Sequence, residues 1–159
     1  MRTLSEKKKK LLVVCSKGTI DNALPPFFLA TTAASMNWET HLYFTFWGMD
    51  IITKKKSENL KLSPVGNPSL PMPNIIGMLP GMTAMATKMI KSKMKKTNMP
   101  SLEEMIKTAK DLGVKFHACT PTMQLTGVTK DDLIPEVDDI IGVATFLELA
   151  QDADVTLFI

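Results

Sequence analysis

The strongest nucleophiles in this sequence are its two cysteines, Cys15 and Cys119, which stand 104 positions apart. Each reads as the last residue of a predicted strand, and in parallel α/β sheets ligands gather at the carboxyl ends of strands. Thr120-Pro121 after Cys119 reads as the N-cap and first residue of a short helix that runs to Leu125 and stops at Gly127. A thiol in front of a helix N-terminus is expected to ionise easily, because unpaired N–H groups and the helix dipole favour negative charge. The chemistry on offer is thiolate attack on sulfur, with Cys119 as the candidate nucleophile. Cys15 closes the apolar run Leu11-Leu12-Val13-Val14, where burial would raise its pKa, although Lys17 nearby would act the other way. For either cysteine the plain alternative is a small buried hydrophobe.

His117 precedes Cys119 by two residues, so a strand places both side chains on one face. It could assist ionisation of the thiol, but such neighbours sit roughly 7 Å apart along the backbone, so a structural histidine is the better reading. Thr120 and Cys15 are the remaining candidate helpers, and His41 has no functional case. Ser16-Lys17-Gly18-Thr19 leads from a strand into a helix and could hold an anion, yet it matches neither GxGxxG nor a P-loop, and a capped turn explains it equally well. Without a CxxC pair and with only two histidines, the chain offers no zinc site, and no Ser-His-Asp set can be assembled.

The elements that must position these residues follow from the hydrophobic pattern. Leu11–Cys15 lacks alternation, as a strand buried on both faces does. An Ala-rich helix is predicted over 20–36, with Pro25 and Pro26 in its first turns and Asn37 closing it. Thr40–Phe46 is the second strand, giving a β-α-β unit with a parallel pair. A Pro- and Met-rich insertion follows at about 63–96. Its first part, 63–81, holds five prolines, and from Gly81 an amphipathic helix is predicted with Met82, Met85, Met89 and Ile90 on one side. Ser101 and Glu104 spell a capping box for a helix ending at Gly113. Strands at 114–119, 140–141 and 155–159 alternate with short helices near 120–125, 129–132 and 143–150. The reading is one α/β domain over 1–159, with at least four mostly parallel strands, Leu11–Val14 central, and helices on both faces.

Composition narrows the classes further. With 159 residues and 45% hydrophobic content, the chain can bury a core without disulfide or metal staples. The apolar run after the Lys-rich start is too short for a signal peptide, and the cytoplasm is the expected compartment. A net charge of +3 conceals a basic front, 17 bases against 7 acids over 1–110, and a tail of 8 acids and no base over 131–159. Nucleic-acid binding is not expected, because the lysine clusters lack interleaved aromatics for stacking. Residues 72–90 carry a single charge, Lys88, so association with a partner, a second copy or a membrane surface is expected of this segment.

The assembly of Val13–Thr19, Phe44-Thr45-Phe46-Trp47-Gly48, His117-Ala118-Cys119 and Gly142–Leu147 resembles the DsrE/DsrF/DsrH-like superfamily, its long DsrE-like subgroup in particular. The resemblance extends from about Lys9 to Ile159. It implies a flavodoxin-like three-layer sandwich, a homo-oligomer, and handling of sulfane sulfur as a cysteine persulfide. It also implies a partner such as a TusA-like sulfur carrier or a rhodanese, a possible sulfurtransferase activity, and no metal or organic cofactor. The family's Ala-Cys cysteine falls on Cys119, and no role carries over to Cys15. The alternatives are a non-enzymatic scaffold that docks a partner through its Met-rich segment, and a flavin or nucleotide binder using Ser16–Thr19.

Overall fold

The computed structural model describes residues 8–63 and 81–159. The proline-rich part of the insertion, 64–80, and the first seven residues lie outside the described residues. Among the described residues five strands form one sheet: β1 (Lys10–Cys15), β2 (Glu39–Phe44), β3 (Lys115–Cys119), β4 (Asp139–Ile141) and β5 (Val155–Phe158), in the order β4-β3-β2-β1-β5. Every neighbouring pair is parallel. The helices are α1 (Ile20–Ser35), α2 (Lys54–Ser57), α3 (Met82–Lys96), α4 (Leu102–Asp111), α5 (Thr120–Thr126) and α6 (Val143–Gln151), with a 3-10 helix at Phe46–Ile52 after β2. This is an α/β sandwich of the flavodoxin-like kind. β1 is internal as expected, flanked by β2 and β5, but the middle strand is β2.

Side-chain parity sorts the strands onto two faces. Leu11, Val13, Cys15, Leu42, Phe44, Phe116 and Ala118 point into the main core beneath α1 and α4. There Phe27 of α1 packs edge-on against Phe116, ring centroids 5.7 Å apart. The opposite parity places Val14, Tyr43 and Cys119 in a second, smaller cluster, joined by Ile141 and by Phe146 of α6. The edge strands are the short ones, three residues in β4 and four in β5, which limits the unpaired backbone that an open edge exposes.

The capping box at Ser101 and Glu104 forms as expected, and Asn37 takes a left-handed φ of 63° just past α1. Pro25 and Pro26 differ from expectation. Because α1 starts at Ile20, they are its sixth and seventh residues, past the turn whose N–H groups are free anyway. Two intrahelical bonds are lost there, offset in part by full burial of Pro26. In α3 the expected face also divides: Ile90 and Met94 pack on the core, whereas Met85 and Met89 face outward. Thr87 anchors that helix, its hydroxyl oxygen accepting from the Leu62 N–H at 2.9 Å. No helix among the described residues is long and apolar enough to cross a membrane.

Candidate functional site

Cys119 ends β3 and is itself the N-cap of α5, one residue earlier than the Thr120 cap the sequence suggests, so Pro121 is the second helical residue. The residue is 3% exposed. Burial works against ionisation of its thiol, but the polar groups around it outweigh it: in decreasing order the neighbouring hydroxyls of Thr122 and Thr45, the more loosely approaching hydroxyl of Tyr43, then the Thr122 N–H. The thiol is thereby held below the ordinary cysteine value. Side-chain hydroxyls, more than the end of a seven-residue helix, favour the thiolate.

Two of these donors form a small network. The Thr45 and Thr122 hydroxyl oxygens are 3.1 Å apart, and Thr122 Oγ1 also accepts the Phe46 N–H at 3.0 Å. If one hydroxyl donates to the other, one O–H is left to point at the sulfur, and the Phe46 amide strengthens it as a donor. Phe46 itself sits at φ 45°, left-handed for a non-glycine residue and a conformation costing of order 1–3 kcal/mol. Its N–H bond to Thr122 helps hold that turn. Tyr43 lies on β2, with its ring stacked on Phe146 at 4.6 Å. Its hydroxyl faces Cys119 but closes no hydrogen bond of ordinary geometry and has no other partner among the described residues.

The turns around the site are set by two close approaches. A Cβ on Gly48 would stand 1.9 Å from the Cys15 carbonyl oxygen, and one on Gly18 would stand 2.1 Å from that of Trp47. The Thr45 N–H also donates to the Cys15 carbonyl at 3.0 Å. These contacts end β2 at Phe44 and turn Phe46 and Trp47 out to 58% and 66% exposure, where continuation of the strand to Phe46 was expected. Gly18 therefore serves close packing. Next to it, the Ser16 N–H and hydroxyl both donate to the Ile159 carbonyl, which takes them away from any anion at the Ser16–Thr19 turn.

Cys15 is 1% exposed in the main core, on the opposite face of the sheet from Cys119. Burial pushes its thiol far up. β1 and β3 are separated by β2, so the two cysteine Cα atoms are about 10 Å apart or more, too far for a disulfide. Both thiols are free.

His117 shares the face of Cys119 but is engaged elsewhere. Its Nε2 is 2.9 Å from Nδ1 of His41, the rings stack at 5.2 Å, and His41 Nε2 is 2.9 Å from Glu39 Oε1. With His41 donating to the carboxylate, His41 Nδ1 accepts from His117, and His117 Nδ1 becomes a buried acceptor with no donor among the described residues. Burial, then the neighbouring His41, lower the His117 pKa to about 4. Neutral at ordinary pH, it has no charge to lend the thiolate. Thr120 begins α5, and the threonine hydroxyl acting on the sulfur belongs to Thr122 two positions on. The sequence reading singled out none of Thr45, Thr122 and Tyr43. No group of three or more metal-binding side chains occurs among the described residues.

The fold is thus an all-parallel α/β sheet with the Cys119 thiol, held below its ordinary pKa, at the carboxyl end of β3. Residues 7–158 match the DsrE/DsrF/DrsH-like family, and the chain belongs to it. It is 39% identical to the sulfur carrier protein DsrE2 of Allochromatium vinosum, over 96% of this chain and 99% of that protein. It is also 32% identical to the uncharacterized protein YrkE of Bacillus subtilis, over 98% of this chain and all of that one. The fold is similar to the crystal structure of the ychN protein from E. coli, with a TM-score of 0.54 at 12% identity, covering 96% of this chain and all of the other.

Proposed function

We propose that this protein is a sulfur-relay protein that carries sulfane sulfur on Cys119. The observation that carries the reading is the setting of Cys119, a thiol held below its ordinary pKa by converging hydroxyls, in a chain 39% identical to a protein named a sulfur carrier. The Cys119 thiolate attacks the terminal sulfur of a donor persulfide. A Cys119–sulfur bond forms, the donor's sulfur–sulfur bond breaks, and the donor leaves as a thiolate. Delivery is the same exchange in reverse: an acceptor thiolate takes the terminal sulfur and Cys119 leaves. No electrons are gained or lost overall, and neither metal nor organic cofactor takes part. Thr45 and Thr122 stabilise the Cys119 thiolate both as attacking and as leaving group, whereas His117 and Cys15 stay outside the exchange.

The partner in this proposal is a TusA-like carrier or a rhodanese, docking over the exposed Phe46 and Trp47 beside the site. Association into a homo-oligomer belongs to the same reading, supported by Val143 and Leu147 exposed on α6 and Phe158 on β5. So does residence in the cytoplasm. A test is to load the protein with sulfur, remove excess donor, and add a TusA-like carrier. Sulfur moving between the two intact masses supports the proposal, and sulfur staying on this chain at every carrier concentration contradicts it.

A further inference from the structure

The Tyr43 hydroxyl is buried, in a residue 5% exposed, and although it lies close enough to Cys119 to favour the thiolate, it closes no hydrogen bond of ordinary geometry among the described residues. Packing gives no reason for it. The ring stacks on Phe146 within the cluster of Val14, Cys119 and Ile141, a setting that phenylalanine would fill equally well. An unsatisfied buried hydroxyl weakens a fold, so one facing a reactive sulfur calls for a state in which it is satisfied. A second sulfur on Cys119 supplies that state. It extends about 2 Å beyond Sγ and carries the negative charge of the persulfide.

We propose that the Tyr43 hydroxyl is the donor that recognises the terminal sulfur of the Cys119 persulfide, so that the site holds its loaded form better than its empty one. The inference rests on the sulfur-relay reading and assigns the cargo's own contact. Thr45 and Thr122 form their network with each other and the Phe46 N–H, and they serve Sγ. Tyr43, whose approach to Sγ falls short of an ordinary hydrogen bond, serves the atom that is transferred. In loading, the Cys119–sulfur bond forms as the donor's bond breaks, and the phenol keeps its proton throughout, since burial opposes its ionisation.

The test compares wild type with Tyr43→Phe in buffers of glutathione and glutathione persulfide at fixed ratio. Intact mass gives the loaded fraction, and thermal melting is followed for both forms. The loaded-to-empty ratio is expected to fall about tenfold in the variant. The melting order should also invert: empty Tyr43→Phe melts no lower than empty wild type, because an orphan hydroxyl is gone, whereas the loaded variant melts lower than the loaded wild type. Equal loading of the two proteins overturns the role of Tyr43 and leaves the relay reading intact. So does an equal loss of melting temperature in both forms, which marks a merely structural residue. If wild type takes up no sulfur either, the relay reading falls and this inference falls with it.

Discussion

Replacing Thr122 with valine removes one hydroxyl and keeps the shape of the side chain. The structure gives this swap two separate consequences. The sulfur of Cys119 loses its leading donor, and a hydrogen bond to a charged group contributes about 1.5–3 kcal/mol. At the lower end the thiolate-to-thiol ratio falls about tenfold. A more basic thiolate is also a better nucleophile, by about threefold over that interval for a Brønsted coefficient near 0.45. Alkylation by iodoacetamide near neutral pH should therefore slow by only about threefold, while the pH midpoint of the rate profile moves clearly upward. Separately, the Phe46 N–H and the Thr45 hydroxyl lose their shared partner, at a cost of about 1–3 kcal/mol of stability. Thr122→Ser restores the hydroxyl and should restore both properties in large part. The assay is alkylation rate against pH in a Cys15→Ser background, with a urea melt of each variant. A folded Thr122→Val protein with an unmoved midpoint would refute the idea that hydroxyls activate the thiol.

Three further outcomes follow from the geometry. His117 has a folded-state pKa of about 4, below the roughly 6.5 of an unfolded histidine; the unfolded chain thus binds the proton first, and stability is full above pH 6.5 and lost as pH falls towards 4. Urea titrations should show wild type losing about 2 kcal/mol more than His117→Phe across that window, and parallel curves would contradict the buried neutral assignment. Gly48→Ala drives a methyl into the Cys15 carbonyl and should cost about 2–4 kcal/mol; an unchanged melting temperature would show that the turn yields freely. Diamide oxidation should produce no Cys15–Cys119 disulfide within one chain, read as an unshifted band on a non-reducing gel, and a faster-migrating monomer would mean that the sheet does not separate the two thiols.

Much of this was legible in the sequence because it rests on local rules. The unbroken apolar run of β1, the Ser101–Glu104 box and the stop at Gly113 each depend on residues a few positions apart. Cys119 at the end of β3 follows from the same reasoning. The hydroxyls around it do not, since Thr45 and Thr122 are 77 positions apart and meet only through the parallel register of β2 and β3. With Cys119 in place of Thr120 as the N-cap, Thr122 is the third residue after it and points back at that cap, and Tyr43 stands opposite His117 in the register of β2 and β3. The end of β2 differs from the sequence expectation because Phe-Thr-Phe favours a strand, while Gly48 packing on the Cys15 carbonyl forces the turn. The structural reading of His117 agrees with its pairing to His41 across β2 and β3, a partner 76 positions away that no local rule supplies.

The central claim is that Cys119, and not Cys15, takes up sulfane sulfur, and intact-mass spectrometry after brief exposure to polysulfide tests it most directly. Wild type and Cys15→Ser should each gain the mass of one sulfur atom, lost on reduction and located to the peptide bearing Cys119, while Cys119→Ser gains none and melts as a folded protein. Sulfur retained by folded Cys119→Ser and absent from Cys15→Ser would contradict the account.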